Sequence, residues 1–505
     1  MIRKTAAAVV AIAVLATACN SEFESAESDS ITVESTAEST TSTTTSAQPT
    51  TTPVAVPPSD IEDLLGLGDS LYPDLGNGGY DVVHYGVDLT FDPEPNTLAA
   101  RVEIEATATE PLTAFSLDFV GFEVTDITVN NVAASYERQD GELIIEPTTM
   151  IAKGEPFVTA VSYAGTPAPI ASQATSVAMG WRTDTNGIQY VVSEPDAGRS
   201  WLPLNDHPLD KATYRFNITV PDPLVAAANG TLVDRITDLG WATWVWDSPH
   251  PMASYLATVV IGDLEIIEDT AATSATGVAV RNVLPDGLSD ASLAVLDTQG
   301  EMITFFEGLF GPYPFDAYGI AVVDGFEGAL ENQTLSIFGT YMVDAPQFFE
   351  TVLVHELAHQ WFGNSVTPAD WGDIWLNEGF ATYAEWLWIE HTEGRAALTA
   401  TVSGTRNQMA LSPDLAPPGN PRADDLFSTS VYNRGGLVLH ALRVEVGDTT
   451  FFEILLDYAT EFRYGSVRTA DFIEKAEAIS GKDLDELFDA WLYGEEVPEL
   501  PALGV

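Results

Sequence analysis

The stretch Val354-His355-Glu356-Leu357-Ala358-His359 carries the pattern His-Glu-x-x-His inside a mostly apolar segment. In a helix, His355 and His359 lie one turn apart on the same face, with about 5–6 Å between their Cβ atoms. Two imidazoles at this separation can bind one Zn²⁺ ion at about 2.0–2.1 Å each. Glu356 lies roughly 100° around the helix from His355, so it can act as a general base on a metal-bound water.

The flanking sequence predicts that this stretch is helical. Asp344 and Pro346 give an N-terminal signal, and Gly363 directly after Phe362 gives a stop signal. A core helix that carries two histidines by chance is the alternative. Burial of Glu356 beside two histidines without a metal ion would cost free energy, so the pattern favours a metal site.

A third metal ligand is expected at Glu378, eighteen residues after His359. A His₂Glu set leaves the fourth position of Zn²⁺ open for water, which is typical of a catalytic site and predicts one Zn²⁺ per chain. Glu385 lies seven residues further, on the same face if the helix continues. It can orient a ligand histidine through a hydrogen bond, or it can be a solvated acid on the helix surface.

The composition limits the class of protein and its partners. The chain has 505 residues, enough for two or three domains. It carries 20 basic and 75 acidic residues, a formal net charge of -55, which repels nucleic acid and anionic membrane surfaces. The single cysteine, Cys19, excludes intramolecular disulfide bonds. Nothing in the sequence predicts the oligomeric state.

The N-terminal residues predict export from the cytoplasm. Residues 1–19 combine Arg3 and Lys4, an apolar run, and small residues before Cys19. The apolar run is too short for a permanent membrane span. The segment resembles a bacterial lipoprotein signal that is cleaved before Cys19, whose thiol then receives a lipid. We therefore expect an exported bacterial protein, a membrane-anchored lipoprotein at the cell surface or in the periplasm; simple secretion is the alternative.

Hydrophobic patterning predicts the domain organisation of the remaining chain. Residues 20–60 are rich in Ser and Thr and predict a disordered linker. Residues 61–268 contain short runs of alternating polar and apolar residues, which predict an all-β N-terminal domain. Residues 269–497 predict a mixed α/β domain that is mainly helical, and residues 498–505 a tail. The predicted fold class is an α+β multidomain protein.

The elements predicted for the second domain include two helices and one strand with the following bounds. Apolar residues at helical spacing predict helices over residues 293–309 and 469–480. A short β-prone run predicts a strand over residues 334–338.

Further motifs accompany the zinc pattern: Glu194-Pro195 through Lys211-Ala212-Thr213, Gly328-Ala329-Leu330-Glu331-Asn332, Asn377-Glu378-Gly379-Phe380 and Tyr432-Asn433-Arg434-Gly435-Gly436. With these motifs the chain, over roughly residues 72–495, resembles the aminopeptidase N-like zinc metallopeptidases. These are gluzincins with a thermolysin-like catalytic domain. Leu330 stands where the family usually has methionine, and Arg434 where it usually has lysine.

The resemblance implies a saddle-like β domain followed by a thermolysin-like catalytic domain. It also implies a zinc aminopeptidase that removes the N-terminal residue from peptides with a free N-terminus. Glu331, helped by Glu194, would bind the free α-amino group of the peptide. The backbone around Gly328 and Ala329 would pair with the peptide as an added strand. Two carboxylates near an ammonium group exclude a mid-chain peptide bond, so cleavage would be limited to the N-terminus.

The resemblance also implies how the bond is cleaved. The metal-bound water would attack the scissile carbonyl with Glu356 as general base, and Tyr432 would stabilise the oxyanion. From the residues alone, Tyr432 can equally be a packing tyrosine. Many relatives carry a large helical C-terminal domain that this sequence lacks. We therefore expect a short form with a more open cleft.

Two other functions remain alternatives at this point. One is an epoxide hydrolase of the same family, although that branch has a second glycine where this chain has Ala329. The other is a catalytically silent surface protein that binds peptides. The intact zinc ligands, Glu356 and Tyr432 oppose the silent protein.

Overall fold

The computed structural model describes residues 61–269, 274–275, 277–412 and 415–500. The predicted signal segment with Cys19, the predicted linker up to residue 60 and residues 501–505 of the predicted tail lie outside this part of the chain. These expectations therefore remain predictions.

The N-terminal part of the described chain consists of β-strands. Apolar and polar residues alternate along much of its sequence, so a strand there places its apolar side chains in the core and its polar ones in solvent. In the first strand a β-bulge between Val82 and His84 shifts this alternation by one residue. The strands are β1 (Tyr80–Asp92), β2 (Thr97–Ala108), β3 (Phe115–Asp118), β4 (Glu123–Val129), β5 (Val132–Ala133), β6 (Ser135–Gln139), β7 (Glu142–Glu146), β8 (Pro156–Gly165), β9 (Gly180–Thr183), β10 (Gln189–Val192), β11 (Lys211–Pro221), β12 (Val225–Ala228), β13 (Thr231–Asp238), β14 (Trp241–Ala253) and β15 (Val259–Gly262).

These strands form three sheets within the described residues. The largest has the order β13-β14-β11-β1-β2-β8-β4-β5, in which β1 and β11 are parallel and the other pairs antiparallel. The other two have the orders β12-β15-β10-β9 and β3-β7-β6. The loop between β10 and β11 contains Glu194 and includes one short 3₁₀ turn, Gly198–Ser200.

The C-terminal part combines a mixed sheet with helices. Its strands are β16 (Glu265–Asp269), β17 (Ala279–Leu284), β18 (Ala317–Tyr318), β19 (Ile320–Val323), β20 (Ala329–Leu330), β21 (Ser336–Gly339), β22 (Thr367–Pro368) and β23 (Ser466–Val467). Its helices are α1 (Asp290–Leu296), α2 (Gln299–Phe310), α3 (Thr340–Val343), α4 (Pro346–Ala358), α5 (Trp375–Glu393), α6 (Arg395–Ala410), α7 (Gly435–Val446), α8 (Asp448–Glu461), α9 (Thr469–Ser480) and α10 (Asp485–Phe488). Two π-helical turns cover Ser430–Arg434 and Asp489–Tyr493, and further 3₁₀ turns cover Ile61–Asp63, Ser254–Leu256, Trp371–Asp373 and Ala423–Asp425.

The sheet of this part has the order β16-β17-β19-β21-β20, with β18 paired to β17. Strand β16 pairs with β17, so residues 265–269 belong to this sheet and not to those of the N-terminal part. Helix α5 packs against α4, α6 and α7 at the centre of the helical region. The order of an all-β region before a mainly helical one confirms the predicted fold class.

The sequence predicted some element bounds correctly and others not. Helix α9 has the predicted bounds, whereas the predicted helix over 293–309 is divided into α1 and α2. The predicted strand over 334–338 begins only at Ser336, because Leu335 donates a backbone hydrogen bond to the carbonyl of Asn332 and closes a turn first. Among the helices that the structure describes, none is long and apolar enough to cross a membrane.

The helix of the zinc motif begins at Pro346 as predicted but ends at Ala358, four residues before the expected end at Phe362. His359 caps the helix, and its backbone N–H still bonds the carbonyl of His355 at 3.2 Å. The chain then turns sharply because the N–H of Asn364 returns to the carbonyl of His359. Gly363 takes a φ of +128° there, a conformation that favours glycine.

Candidate metal centre and active site

The side chains of His355 on α4, of His359 directly after α4 and of Glu378 on α5 converge on one point. The ring centroids of His355 and His359 are 4.7 Å apart, with the planes nearly perpendicular. The Oε2 atom of Glu378 lies 3.0 Å from His355 Nε2 and 3.4 Å from His359 Nε2. All three side chains are buried. Burial alone would raise the pKa of Glu378, but the charges and hydrogen bonds of the two histidines lower it to about 2.

The Nδ1 atom of each histidine has a hydrogen-bond partner of its own. Glu385 Oε1 lies 2.7 Å from His355 Nδ1, and the backbone carbonyl of Phe362 lies 3.1 Å from His359 Nδ1. A carbonyl oxygen can only accept, so His359 Nδ1 donates and its Nε2 is free to bind a metal ion. A carboxylate at His355 Nδ1 has the same effect. Glu385 is therefore placed where it can orient His355.

Among the described residues, His355, His359 and Glu378 have one ligand atom each within 4.8 Å of the others. The donor set of two imidazole nitrogens and one carboxylate oxygen is that of catalytic zinc sites. Because each ring carries its proton on Nδ1, the lone pair of each Nε2 atom can bind the metal ion. The residues present therefore fit Zn²⁺, with these three side chains as its protein ligands. A second buried group, made of Glu331, Glu356 and His359, shares His359 with the first and contains a single imidazole.

Glu356 lies beside the predicted ligands but makes no hydrogen bond through Oε2 to any described residue. It is buried, and burial is the main cause that raises its pKa to about 8. Since the predicted ligands do not use this oxygen, it can accept a proton from a water molecule near the three ligands.

Two further carboxylates are buried next to this group. Glu331 and Glu194 are 2% and 3% exposed, and the Oε1 atom of each lacks a hydrogen-bond partner within the described chain. Burial raises the pKa of both, and the negative charges of Glu331, Glu378 and Glu356 raise that of Glu194 further. Buried carboxylates without compensation cost free energy, so this arrangement favours a cationic ligand group.

The backbone of Glu331 is hydrogen-bonded to the turn after α4 by two residues that the sequence analysis did not single out. Gln360 Nε2 and Asn364 Nδ2 donate to the carbonyl of Glu331 at 3.1 and 2.7 Å. Gln360 directly follows the His-Glu-x-x-His pattern and Asn364 comes five residues after it, so their nearness to the pattern was the signal that could have found them.

Gly328 and Ala329 lie at the border of the mixed sheet. Strand β20 is the last strand in the sheet order and pairs with β21. The carbonyl of Gly328 accepts a hydrogen bond from the N–H of Gly339 at 3.0 Å. Along the described part of the chain, the opposite side of β20 is a sheet edge, which can pair with an added extended peptide.

Tyr432 lies in the π-helical turn Ser430–Arg434, directly before α7. Its hydroxyl donates to Glu378 Oε1 at 3.0 Å, and its ring stacks on that of His355 at 5.8 Å between centroids. Burial raises the pKa of Tyr432 well above its ordinary value, so the phenol keeps its proton at neutral pH. The structure thus brings Tyr432 together with the three predicted ligands.

Comparisons with known proteins identify the family. The model of the peptidase family M1 domain matches residues 294–491, and that of the peptidase M1 N-terminal domain matches residues 82–256. The crystal structure of an M1 zinc metallopeptidase from Deinococcus radiodurans is 32% identical, with a TM-score of 0.80. The match covers 87% of this chain and 100% of that one. The chain belongs to peptidase family M1.

Two curated relatives of this M1 chain are aminopeptidases. Aminopeptidase M1 of Arabidopsis thaliana is 29% identical over 334 residues, covering 61% of this chain and 37% of the relative. Aminopeptidase B of Mus musculus is 30% identical over 328 residues, covering 60% of this chain and 49% of the relative. The chain spans less than half of the length of these two relatives. The predicted family resemblance is confirmed, and zinc is the cofactor of this family's metallopeptidases.

Proposed function

We propose that this chain is a zinc-dependent aminopeptidase, which removes the N-terminal residue from peptides with a free amino group. The observation that carries the proposal is the pair Glu194 and Glu331, buried beside the His₂Glu centre with oxygens that lack partners among the described residues. The ammonium group of a peptide N-terminus would donate hydrogen bonds to both carboxylates and offset part of their negative charge. A mid-chain peptide bond has no such charge, so the pair selects for cleavage at the N-terminus.

Different residues of the chain have different roles in the proposed hydrolysis. His355, His359 and Glu378 would hold Zn²⁺, which when bound would supply a Lewis acid for the scissile carbonyl and for water. Glu356 accepts the proton of the attacking water and passes it to the leaving amine, a task that suits a pKa of about 8. The protonated phenol of Tyr432 donates a hydrogen bond to the negative charge that develops on the carbonyl oxygen.

The edge of β20 orients the peptide backbone. A peptide that pairs with Gly328 and Ala329 as an added strand runs past Glu331, which directly follows β20 in the chain. The ammonium group and the scissile bond are then held on one rigid element, which lowers the entropic cost of reaching the reactive geometry. A mutant form of the Deinococcus radiodurans relative was solved bound to a Tyr-Ser-Ala substrate, which supports a peptide as the ligand class.

The proposed function is tested with leucyl and alanyl chromogenic amides and their N-acetylated forms. We expect cleavage of the free-amine substrates alone, loss of activity with a chelator, and recovery with Zn²⁺. Cleavage of the acetylated substrates would agree with a zinc hydrolase but would contradict the proposed aminopeptidase activity. Absence of all cleavage in zinc-loaded protein would contradict the proposed function and favour a protein that only binds peptides.

We also propose that the chain is exported and anchored by a lipid on Cys19. The support is the signal-like pattern of residues 1–19. Expression of the full chain and of a Cys19→Ala variant in a bacterial host, followed by membrane fractionation and mass spectrometry, tests this. We expect the full chain in the membrane fraction with a lipid on Cys19, and the variant outside that fraction. Equal distribution of both chains would contradict the anchor.

A further inference from the structure

Arg434 is a buried cation that binds the last helical segment of the described chain through backbone carbonyls. The side chain is 3% exposed. Its Nε donates to the carbonyl of Trp491 at 2.8 Å, and Nη2 lies 3.0 Å from the carbonyl of Ala490, 2.6 Å from that of Gly494 and 3.4 Å from that of Glu496. These carbonyls belong to the end of the π-helical turn Asp489–Tyr493 and the residues that follow it.

The same short turn carries Tyr432 toward the metal centre. Tyr432 and Arg434 are two residues apart in the turn Ser430–Arg434, so their side chains leave it on nearly opposite sides. Tyr432 contacts Glu378 and His355 on one side, whereas Arg434 contacts residues 490–496 on the other. The turn is therefore held between the metal centre and the C-terminal segment.

On the C-terminal side, part of the space between the turn and residues 495–497 is not filled by side chains. A cavity of about 350 Å³ lies there, lined by Arg434, Ser430, Arg406, Glu496 and Val497 among others. The empty space provides no van der Waals contacts, and beside it the guanidinium group of Arg434 bonds the carbonyls of Gly494 and Glu496. The planar fork of arginine holds its N–H donors in a fixed geometry on three nitrogens, whereas lysine has all its donors on one nitrogen at the end of a flexible stem.

We propose that Arg434 is a positioning residue for Tyr432. By binding the carbonyls of residues 490–496, Arg434 fixes the position of the π-helical turn relative to the metal centre. In that position the Tyr432 hydroxyl can reach the carbonyl oxygen of the substrate. The C-terminal segment thereby becomes part of the support of the active site. This inference rests on the proposed function, because it assigns to Arg434 a role that acts through the oxyanion contact of Tyr432.

Arg406 offers a matched control. It lies on α6, and its Nε and Nη2 donate to the carbonyls of Pro498 and Val497 at 3.1 and 3.3 Å. Arg406 therefore binds the same C-terminal segment as Arg434 but belongs to a different element from Tyr432. An effect that arises merely from loosening this segment would appear in Arg406→Lys as well as in Arg434→Lys.

The test uses full-length, zinc-loaded protein carrying Arg434→Lys or Arg406→Lys. Lysine keeps the charge and the aliphatic stem, so both variants are expected to fold with full zinc content, which is measured first. For Arg434→Lys we expect kcat to fall about tenfold with KM unchanged, because a contact made in the transition state is displaced. Arg406→Lys should leave kcat within about twofold. Equal losses in both variants, or a loss confined to KM, would overturn the proposal.

A double-mutant cycle with Tyr432→Phe separates this inference from the proposed function. If Arg434 acts through the Tyr432 hydroxyl, Arg434→Lys should change kcat less than about twofold once that hydroxyl is absent. A full tenfold loss in the Tyr432→Phe background would overturn the positioning role alone. A Tyr432→Phe variant with unchanged kcat would instead contradict the proposed oxyanion role. Crystal structures of Arg434→Lys provide a second readout, the distance from the Tyr432 hydroxyl to Glu378.

Discussion

Glu356 has a buried Oε2 that makes no hydrogen bond to the described chain, and it stands next to the metal ligand His355. Replacing it by glutamine keeps the size of the side chain but removes the base. We expect Glu356→Gln to lower kcat by about 10³-fold, within the range of general-base losses, while the zinc content stays at one per chain. Steady-state kinetics and metal analysis of the same preparation check this. Substantial turnover in the zinc-loaded variant would exclude Glu356 as the general base.

Glu385 acts, in our interpretation, on the metal through His355. Its Oε1 lies 2.7 Å from His355 Nδ1, and its side chain is partly exposed. We expect Glu385→Gln to weaken zinc affinity by about 10- to 100-fold, the usual cost of losing an acid that orients a ligand histidine. Competition with a chelator of known affinity measures this. The exposed Glu393 at the end of the same helix gives the control, since Glu393→Gln should leave zinc affinity unchanged.

At the scale of elements, the distance between Tyr432 and Glu378 depends on how closely α7 approaches α5. Gly379 follows Glu378 on α5, and Gly435 begins α7 directly after the π-helical turn. A Cβ atom on Gly435 would lie 2.9 Å from the Cα of Gly379, closer than atoms pack in proteins. Only glycine at both positions allows this crossing, so the two helices bring a metal ligand and Tyr432 within 3.0 Å.

We therefore expect Gly435→Ala to destabilise the protein by about 1–3 kcal/mol, the usual cost of overpacking, and to lower kcat by displacing Tyr432. Gly404→Ala within α6 is the matched control, because its new Cβ would meet no described atom within 4 Å. That change should stabilise α6 by roughly 0.5–1 kcal/mol. Thermal unfolding and kcat of both variants check the prediction. Equal behaviour of the two variants would show that the crossing does not control the site.

At the scale of the whole molecule, Lys211 joins the β region to the helical region. Its Nζ donates to the carbonyls of Asn364 and Ser365 at 2.9 and 3.0 Å, to Thr367 Oγ1 at 2.8 Å, and lies 3.4 Å from the carbonyl of Gly465. Strand β11 carries the lysine, whereas all four partners lie in the C-terminal part. Burial lowers the pKa of Lys211 to about 7. We therefore expect the charge of Lys211 at this contact to change near neutral pH.

The direction in which stability then depends on pH follows from the protons bound in each state. Between pH 7 and about 10.5 the unfolded chain keeps the lysine proton and the folded chain releases it. The free energy of unfolding should therefore rise with pH in this window, by at most about 1.4 kcal/mol per pH unit from this group. Lys211→Met should remove this rise, whereas Lys153→Met, at an exposed position, should retain it. Thermal unfolding between pH 6.5 and 9.5 measures the slopes, and parallel slopes in all three proteins would refute the assignment.

Local spacing along the chain determined what the sequence by itself could predict. His355 and His359 share a face because they are one helical turn apart, and Glu385 lies two turns beyond Glu378 on α5. The order of a β region before a helical region followed from the change of hydrophobic period from two to 3.6. The end of α4 was predicted four residues late because the turn after His359 depends on long-range packing of the loop that follows.

The family resemblance implied that distant residues meet at the metal centre, but only the tertiary structure decided the contacts they make there. Glu194 lies in a loop of the β region, Glu331 after an edge strand and Tyr432 in a π-helical turn, and no local period relates them. The glycine crossing of α5 and α7, and the bonds of Arg434 to residues 490–496, likewise join segments far apart in the chain. Such contacts arise when separate hydrophobic surfaces pack into one core, so their geometry is set by the packing of the whole chain.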